Sequence, residues 1–315
     1  MTTIINQKEI KSIVKDIDVV AAMKEGFVQY SNQNTMVPPV GELLFNNPKG
    51  ETHIKYGYIK EDDYFVIKVA SGFYGNVKFG ISTSQGMMLL FSQKTGEPRG
   101  ILLDEGLLTD IRTAAAGAMV SQYFAPKKIK GIGIIGTGIQ AKLQLQYLQR
   151  FYPNISVWVW GRDAENTKKF KNQLGECEIK IASSTTQVAQ NCNLIVTTTP
   201  SEIPLLKEED ILEGTHITAV GADTENKQEL ESALLQKADI VVVDSISQSK
   251  TRGEVFRALK DGFITQANVV ELGIAIQTPS LQRKNDTQIT VADLTGVAVQ
   301  DIMIAKAVYK KYMNN

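Results

Sequence analysis

GIGIIGTGIQA, residues 131–141, joins a short apolar run to an amphipathic segment through two glycines set two apart. Gly136 suits a backbone conformation closed to residues with a Cβ, and Gly138 lets the main chain come close to a pyrophosphate. Ala141 lets the following helix pack on the strand, and the unpaired N–H groups of that helix's first turn then face the phosphates. The stretch follows a β-type run at 129–135, opens an amphipathic segment at 140–149 and precedes a second run at 156–160. Strand, helix and strand in that order predict a dinucleotide-binding βαβ unit rather than an ordinary tight turn. Thr137 and Gln140 belong to the same loop and helix start and join the candidate cofactor residues.

The rhythm continues beyond the glycines. Candidate strands at 129–135, 156–160, 194–198, 216–221 and 240–244 alternate with helical stretches, which predicts a parallel sheet with right-handed crossovers. Thr198 and Gly221 lie at the carboxyl ends of two of these strands, where open α/β sheets place ligands, and are candidate cofactor residues. Upstream, Ile10, Ile13, Val14, Val19, Val20, Met23 and Phe27 follow helical spacing, with Asp16 or Asp18 as the N-cap of the second piece. Short strand-like runs come next at 41–45, 52–59, 64–70 and 86–92, then an alanine-rich helix at 107–123. The last segment, 290–312, reads as one long helix returning to the first domain. The fold class is therefore α/β. A Rossmann-type parallel-sheet domain at 125–289 stands beside an α+β substrate and dimerisation domain at 1–124, completed by 290–315.

Composition sets the surroundings. The 315 residues carry 34 basic and 34 acidic side chains, so no electrostatic case exists for nucleic acid or an anionic membrane. No segment approaches the roughly 20 consecutive apolar residues that span a bilayer, and the N-terminal stretch lacks the features of a signal peptide. Cys177 and Cys192 show neither metal-ligand spacing nor a disulfide framework, so no metal site is expected and a cytoplasmic location is the default.

Cofactor choice turns on the end of the second strand, VWVWGRD. NAD enzymes usually place an acid there for the ribose 2′-hydroxyl. Here Trp160 or Gly161 occupies that place and Arg162 comes next, suited to a 2′-phosphate. NADP(H) is therefore preferred. NAD(H) stays open, because Asp163 offers a carboxylate that could reach back to the ribose.

Taken with GTGIQA, the segments LLDEGLLTDIRTAAAGAM and HITAVGADTENKQEL resemble the ornithine cyclodeaminase and mu-crystallin family, and DLTGVAVQD resembles its closing motif. The resemblance runs from about Pro38 to the final helix. It implies a substrate domain that also forms a homodimer, an active site in the cleft between the domains, and chemistry through an imine at an α-carbon. Arg112 in TDIRTAA matches the family's carboxylate-binding arginine. The residues alone agree, since a guanidinium in an apolar helix needs an anion, either a substrate carboxylate or an ion pair with Asp104 or Asp110. Lys68, in YFVIKVASGFYGN, matches the active-site lysine, and a cation in an apolar strand is costly unless paired. Thr83 in ISTSQG resembles a substrate-side threonine. Asp223 in AVGAD matches the catalytic acid or base of the cyclodeaminases, with an Asx turn capping the next helix as its structural alternative.

The chain departs from the family in VPPVGELLF, where Gly41 and Glu42 stand in place of an arginine. HIKYGYI supplies His53 and Lys55 on one face of a strand, a period-two arrangement that aims both at one site. The N-terminal half is most like the ectoine-utilisation branch. The expected activity is reduction of a small imine, a cyclic ketimine carboxylate such as pyrroline-2-carboxylate, by NADPH. A cyclodeaminase of ornithine or lysine with bound NAD, an amino-acid dehydrogenase and a crystallin-type nucleotide-dependent binder are the alternatives.

Overall fold

The computed structural model describes residues 2–174 and 178–314, so Cys177 lies outside the described residues. The chain divides into two compact units. The first comprises Met1–Arg112 and Val297–Asn315, the second Thr113–Gly296.

The first unit is a seven-stranded sheet with helices. Its strands are β1 (Thr3–Asn6), β2 (Thr35–Met36), β3 (Gly41–Asn46), β4 (Lys49–Ile59), β5 (Tyr64–Gly72), β6 (Ser84–Ser92) and β7 (Pro98–Leu103). The order is β1-β7-β6-β5-β4-β2 with β3 also on β4, antiparallel except for the β1–β7 pair. Helices α1 (Gln7–Ile13) and α2 (Val19–Ser31) match the helical spacing, and Asp18 caps α2 by accepting from the Ala21 N–H. The C-terminal helix, Ala298–Met313, packs against α2 and against β4 and β5. A Cβ on Gly26 would come within 2.9 Å of Met303, so this glycine permits the close helix approach. Period-two alternation puts Val66 and Lys68 of β5 on the buried face.

Helix α3 (Leu107–Phe124) begins in the first unit and ends in the second. The second unit holds eight strands, all parallel: β8 (Ile132–Ile135), β9 (Val157–Trp160), β10 (Ile179–Ile181), β11 (Leu194–Thr197), β12 (His216–Ala219), β13 (Ile240–Val243), β14 (Val269–Glu271) and β15 (Thr290–Asp293). Their order, β10-β9-β8-β11-β12-β15-β13-β14, reverses direction at β8, the position at which open α/β sheets form a ligand crevice. Five of the strands coincide with the runs read from sequence. The four residues of β8 are all buried, as expected of a strand covered on both faces.

The expectation of one helix over 290–312 is corrected. Thr290–Asp293 is a fully buried strand between β12 and β13, and the helix begins only at Ala298. Gly296, at φ +80°, makes the turn between them. Cys192 is a free, buried thiol, which burial pushes up to about 12. No described helix is long and apolar enough to cross a membrane.

Candidate active site

In the second unit the glycine loop leaves β8 and enters helix α4 (Ile139–Phe151). Gly136 sits at φ +124°, and a Cβ there would meet the Thr198 hydroxyl at 2.4 Å, so only glycine fits. Gly138 is the N-cap residue, has no heavy atom within 4 Å of a Cβ position and gives the helix no side-chain cap. The start of α4 thus has no side-chain cap and open space at its N-cap glycine. That is the chemistry of a phosphate cradle, and these residues fit a dinucleotide pyrophosphate.

A cavity of about 270 Å³ lies here, lined by the glycine loop 136–138, by residues 160–163 and Asn166, and by 198–201 and Leu205. Thr137, Gly161, Arg162 and Thr198 thus line it as the sequence leads one to expect. Gln140 and Ala141 lie one step along α4, and Ala141 is fully buried, so its role is packing. The Thr198 hydroxyl donates to the Ile135 carbonyl, holding the β11 exit on the glycine strand. Asp163 is engaged as the N-cap of the helix Ala164–Gln173, accepting from the Asn166 N–H at 2.7 Å. Arg162 is exposed at the cavity.

Gly221 and Asp223 come after β12. Asp223 caps none of the described helices. Its carboxylate takes a 2.6 Å bond from Lys227, while its carbonyl accepts from Arg252 at 3.5 Å. Lys227, inside ADTENKQEL, is a partner that its sequence surroundings do not single out, because a lysine in a polar turn has the look of a solvated charge. Beneath this segment lies Glu229, fully buried, with its two oxygens taken by Thr197, Thr199 and Gly221.

The first unit carries a second constellation. Asp301, on the C-terminal helix, accepts from Arg112 Nε at 3.1 Å on one oxygen and lies 3.1 Å from Lys68 Nζ on the other. Arg112 also donates to the Gln300 side chain at 3.1 Å. All three charged groups are at least 94% shielded from solvent. Burial alone would raise the Asp301 carboxyl, but Lys68, Arg112 and Lys55 hold it below its ordinary range. Burial lowers the Lys68 ammonium, with Asp301 opposing and Arg112 adding to the effect. Asp104, buried at the start of α3, accepts from the Leu108 N–H and is raised by burial.

The intramolecular partner of Arg112 is thus Asp301, not Asp104 or Asp110. Lys55 stands directly opposite Lys68 in the β4–β5 register and is buried with it. His53 instead approaches Glu42, its cross-strand partner, at 4.0 Å. His53 and Lys55 are two apart on β4 and so share a face of the strand, each with its own cross-strand neighbour. Thr83 precedes β6 and is half-buried, and its carbonyl accepts from the Phe73 N–H. Lys55, Lys68 and Arg112 are thus buried cationic side chains gathered around Asp301, with Asp104 close to Lys68. A desolvated guanidinium and ammonium side by side are groups that a planar carboxylate can pair with.

The sequence was compared with known proteins, and a model of the ornithine cyclodeaminase/mu-crystallin family matches residues 1–315. The chain belongs to this family. A Sinorhizobium fredii protein named an uncharacterized cyclodeaminase is 35% identical over 98% of this chain and 95% of its own length. An archaeal alanine dehydrogenase dimer with bound NAD superposes with a TM-score of 0.90 at 32% identity, covering 99% of this chain and 96% of that one. The Δ1-pyrroline-2-carboxylate reductase of Thermococcus litoralis, solved with NADH and L-proline, gives 0.90 at 27% identity over 99% and 98%. The family, the fold class and the enzymatic character read from the sequence are borne out by these relatives.

Proposed function

We propose that the protein reduces a small cyclic imine bearing a carboxylate, with pyrroline-2-carboxylate as the first substrate to try, and that it uses NADP(H) in preference to NAD(H). The observation that carries this reading is the buried Lys68–Asp301–Arg112 group, two cationic side chains on one carboxylate, whose guanidinium suits a planar carboxylate. A reduced nicotinamide, when bound, supplies the hydride for the imine carbon. Gly136 and Gly138 accommodate its pyrophosphate, and Arg162 pairs with the 2′-phosphate. Arg112 and Lys68 bind and orient the substrate carboxylate, with Lys55 adding to the positive field. Thr83 and His53 bound the same substrate region. Asp223, held by Lys227, delivers the proton that the imine nitrogen takes up as the C=N bond becomes a C–N single bond.

The same residues suit a cyclodeaminase, a second reading favoured by the presence of Asp223 and by the name of the 35% identical relative. One assay separates the two. With pyrroline-2-carboxylate and NADPH, a reductase consumes cofactor in proportion to substrate. With ornithine and catalytic NAD, a lyase releases ammonia with no net change in nicotinamide absorbance. Ammonia release together with no stoichiometric NADPH oxidation by any ketimine rejects the reductase.

The NADP preference rests on Arg162 and on the commitment of Asp163 to its helix cap. NADPH should bind more tightly than NADH in a fluorescence titration, and Arg162→Ala should narrow the gap about tenfold, the scale of one charge-assisted hydrogen bond. Equal affinities in the wild type would reject the preference. For assembly, we infer a homodimer through the first unit, which exposes Leu43, Leu44 and Phe45 along β3 and Val77, Phe79 and Ile81 between β5 and β6 in the chain.

A further inference from the structure

Glu229 has no contact with solvent, yet it accepts four hydrogen bonds. The Thr199 N–H and hydroxyl reach Oε1 at 2.5 and 2.8 Å, and the Thr197 hydroxyl and Gly221 N–H reach Oε2, both at 2.8 Å. These donors come from two different strand exits, those of β11 and β12. The exits touch: a Cβ on Gly221 would lie 2.1 Å from the Thr199 carbonyl oxygen and 2.6 Å from Glu229 Oε2. Glu229 is itself fixed, its N–H donating to Glu254 and its carbonyl accepting from Leu205 and Leu206.

The sheet order gives this arrangement a direction. In β9-β8-β11-β12 the glycine loop that would cradle the pyrophosphate is at β8 and Arg162 at β9, so the nicotinamide half of a bound dinucleotide would fall toward β11 and β12. Thr198, Thr199, Pro200 and Ser201 form that wall of the cavity, and Asp223 lies two residues past Gly221. We propose that Glu229 is a positioning residue. Its carboxylate clamps Thr199 to Gly221 and thereby sets both the nicotinamide-side wall and the start of the segment that carries Asp223. The inference rests on the dinucleotide-dependent reading above and deepens it.

An ionised carboxylate has about four acceptor positions, all used here, whereas a glutamine of the same shape offers one acceptor oxygen and turns an NH₂ toward donors. Glu229→Gln should therefore weaken NADPH binding about tenfold or more and lower kcat. Affinity for adenosine 2′,5′-bisphosphate, which reaches only the β9 and β8 side, should stay within about twofold of the wild type. Burial pushes Glu229 up to about 7 against the hydrogen bonds that lower it. Glu229 faces Glu254 and Asp293 from neighbouring elements: Glu254 is pushed up by burial, then by Asp293 and Glu229, and Asp293 by burial, then by Asp244 and Glu229. Wild-type NADPH affinity should thus fall as pH drops from about 8 to about 6, either side of that value, beyond any fall shown by the bisphosphate, which carries the same kind of 2′-phosphate. In Glu229→Gln that excess should vanish.

Thr197→Val removes one donor with little change in buried volume and should give the same split at about threefold. It carries the test if Glu229→Gln does not fold. Unchanged NADPH affinity and pH slope, or an equal loss for both probes, overturns the positioning role. A wild-type protein that binds the bisphosphate or nothing, but never a dinucleotide more tightly, defeats the functional reading itself, a result distinct from failure of the variants.

Discussion

Arg112→Ala should raise KM for an α-carboxylate substrate by about 10²-fold while leaving the dissociation constant of the nicotinamide cofactor within about twofold. The size comes from two charge-assisted hydrogen bonds of a bidentate pair, at about 1.5–3 kcal/mol each, reduced because Lys68 still attracts the carboxylate. A structural cost accompanies it. Arg112 holds Asp301 at 3.1 Å in a site with almost no solvent exposure, and breaking a buried pair from one side destabilises by about 3–5 kcal/mol. Melting temperature and KM must therefore be read together. Arg112→Lys keeps the charge that Asp301 needs but loses the planar fork, so it should recover most of the stability and little of the KM. If Arg112→Ala binds a carboxylate inhibitor as well as the wild type, the guanidinium serves only Asp301 and the substrate role is wrong.

The contrast between Arg112 and its partner shows what a chain of letters reveals. An arginine in TDIRTAAAGA is legible as a charge seeking an anion, because helical spacing places it among alanines. Which anion it meets is not legible. Asp301 is 189 residues away, and nothing local specifies that the C-terminal helix packs on β5. The letters QD at 300–301 do carry a signal: two polar residues in the apolar helix AVQDIMIAKAV, inside the stretch that resembles the family's closing motif. The glycine loop is legible in full, since its conformational demand is local, and Gly136 at φ +124° is that demand made visible.

Strand β15 is obscured for the opposite reason. TVAD is four residues long and runs into an apolar helix, so its period merges with that of the helix, and only pairing with β12 and β13 makes it a strand. The short strands β1, β10 and β14 present the same difficulty, because tertiary pairing stands in for any local pattern. Glu229 is hidden differently. In ENKQELES a glutamate looks like part of a solvated charged turn, and its burial under two strand exits is a fact of topology.

Asp223→Asn should lower kcat by about 10²-fold or more and leave NADPH binding nearly unchanged. Asparagine preserves shape and can still accept from Lys227, so the variant removes the proton carrier rather than the local fold. The strand end places this carboxylate past β12, on the side of the sheet's switch point where the proposed reading would put the reactive half of a dinucleotide. The 2.6 Å bond from Lys227 to one oxygen orients the carboxyl group for the proton it passes on. Lys227→Met should therefore cost less, about tenfold, because it loosens the carboxylate without deleting it. Single-turnover reduction of pyrroline-2-carboxylate under saturating NADPH isolates the chemical step from binding and release. A normal single-turnover rate in Asp223→Asn would remove Asp223 from the proton path and leave water or Lys68 to supply the proton.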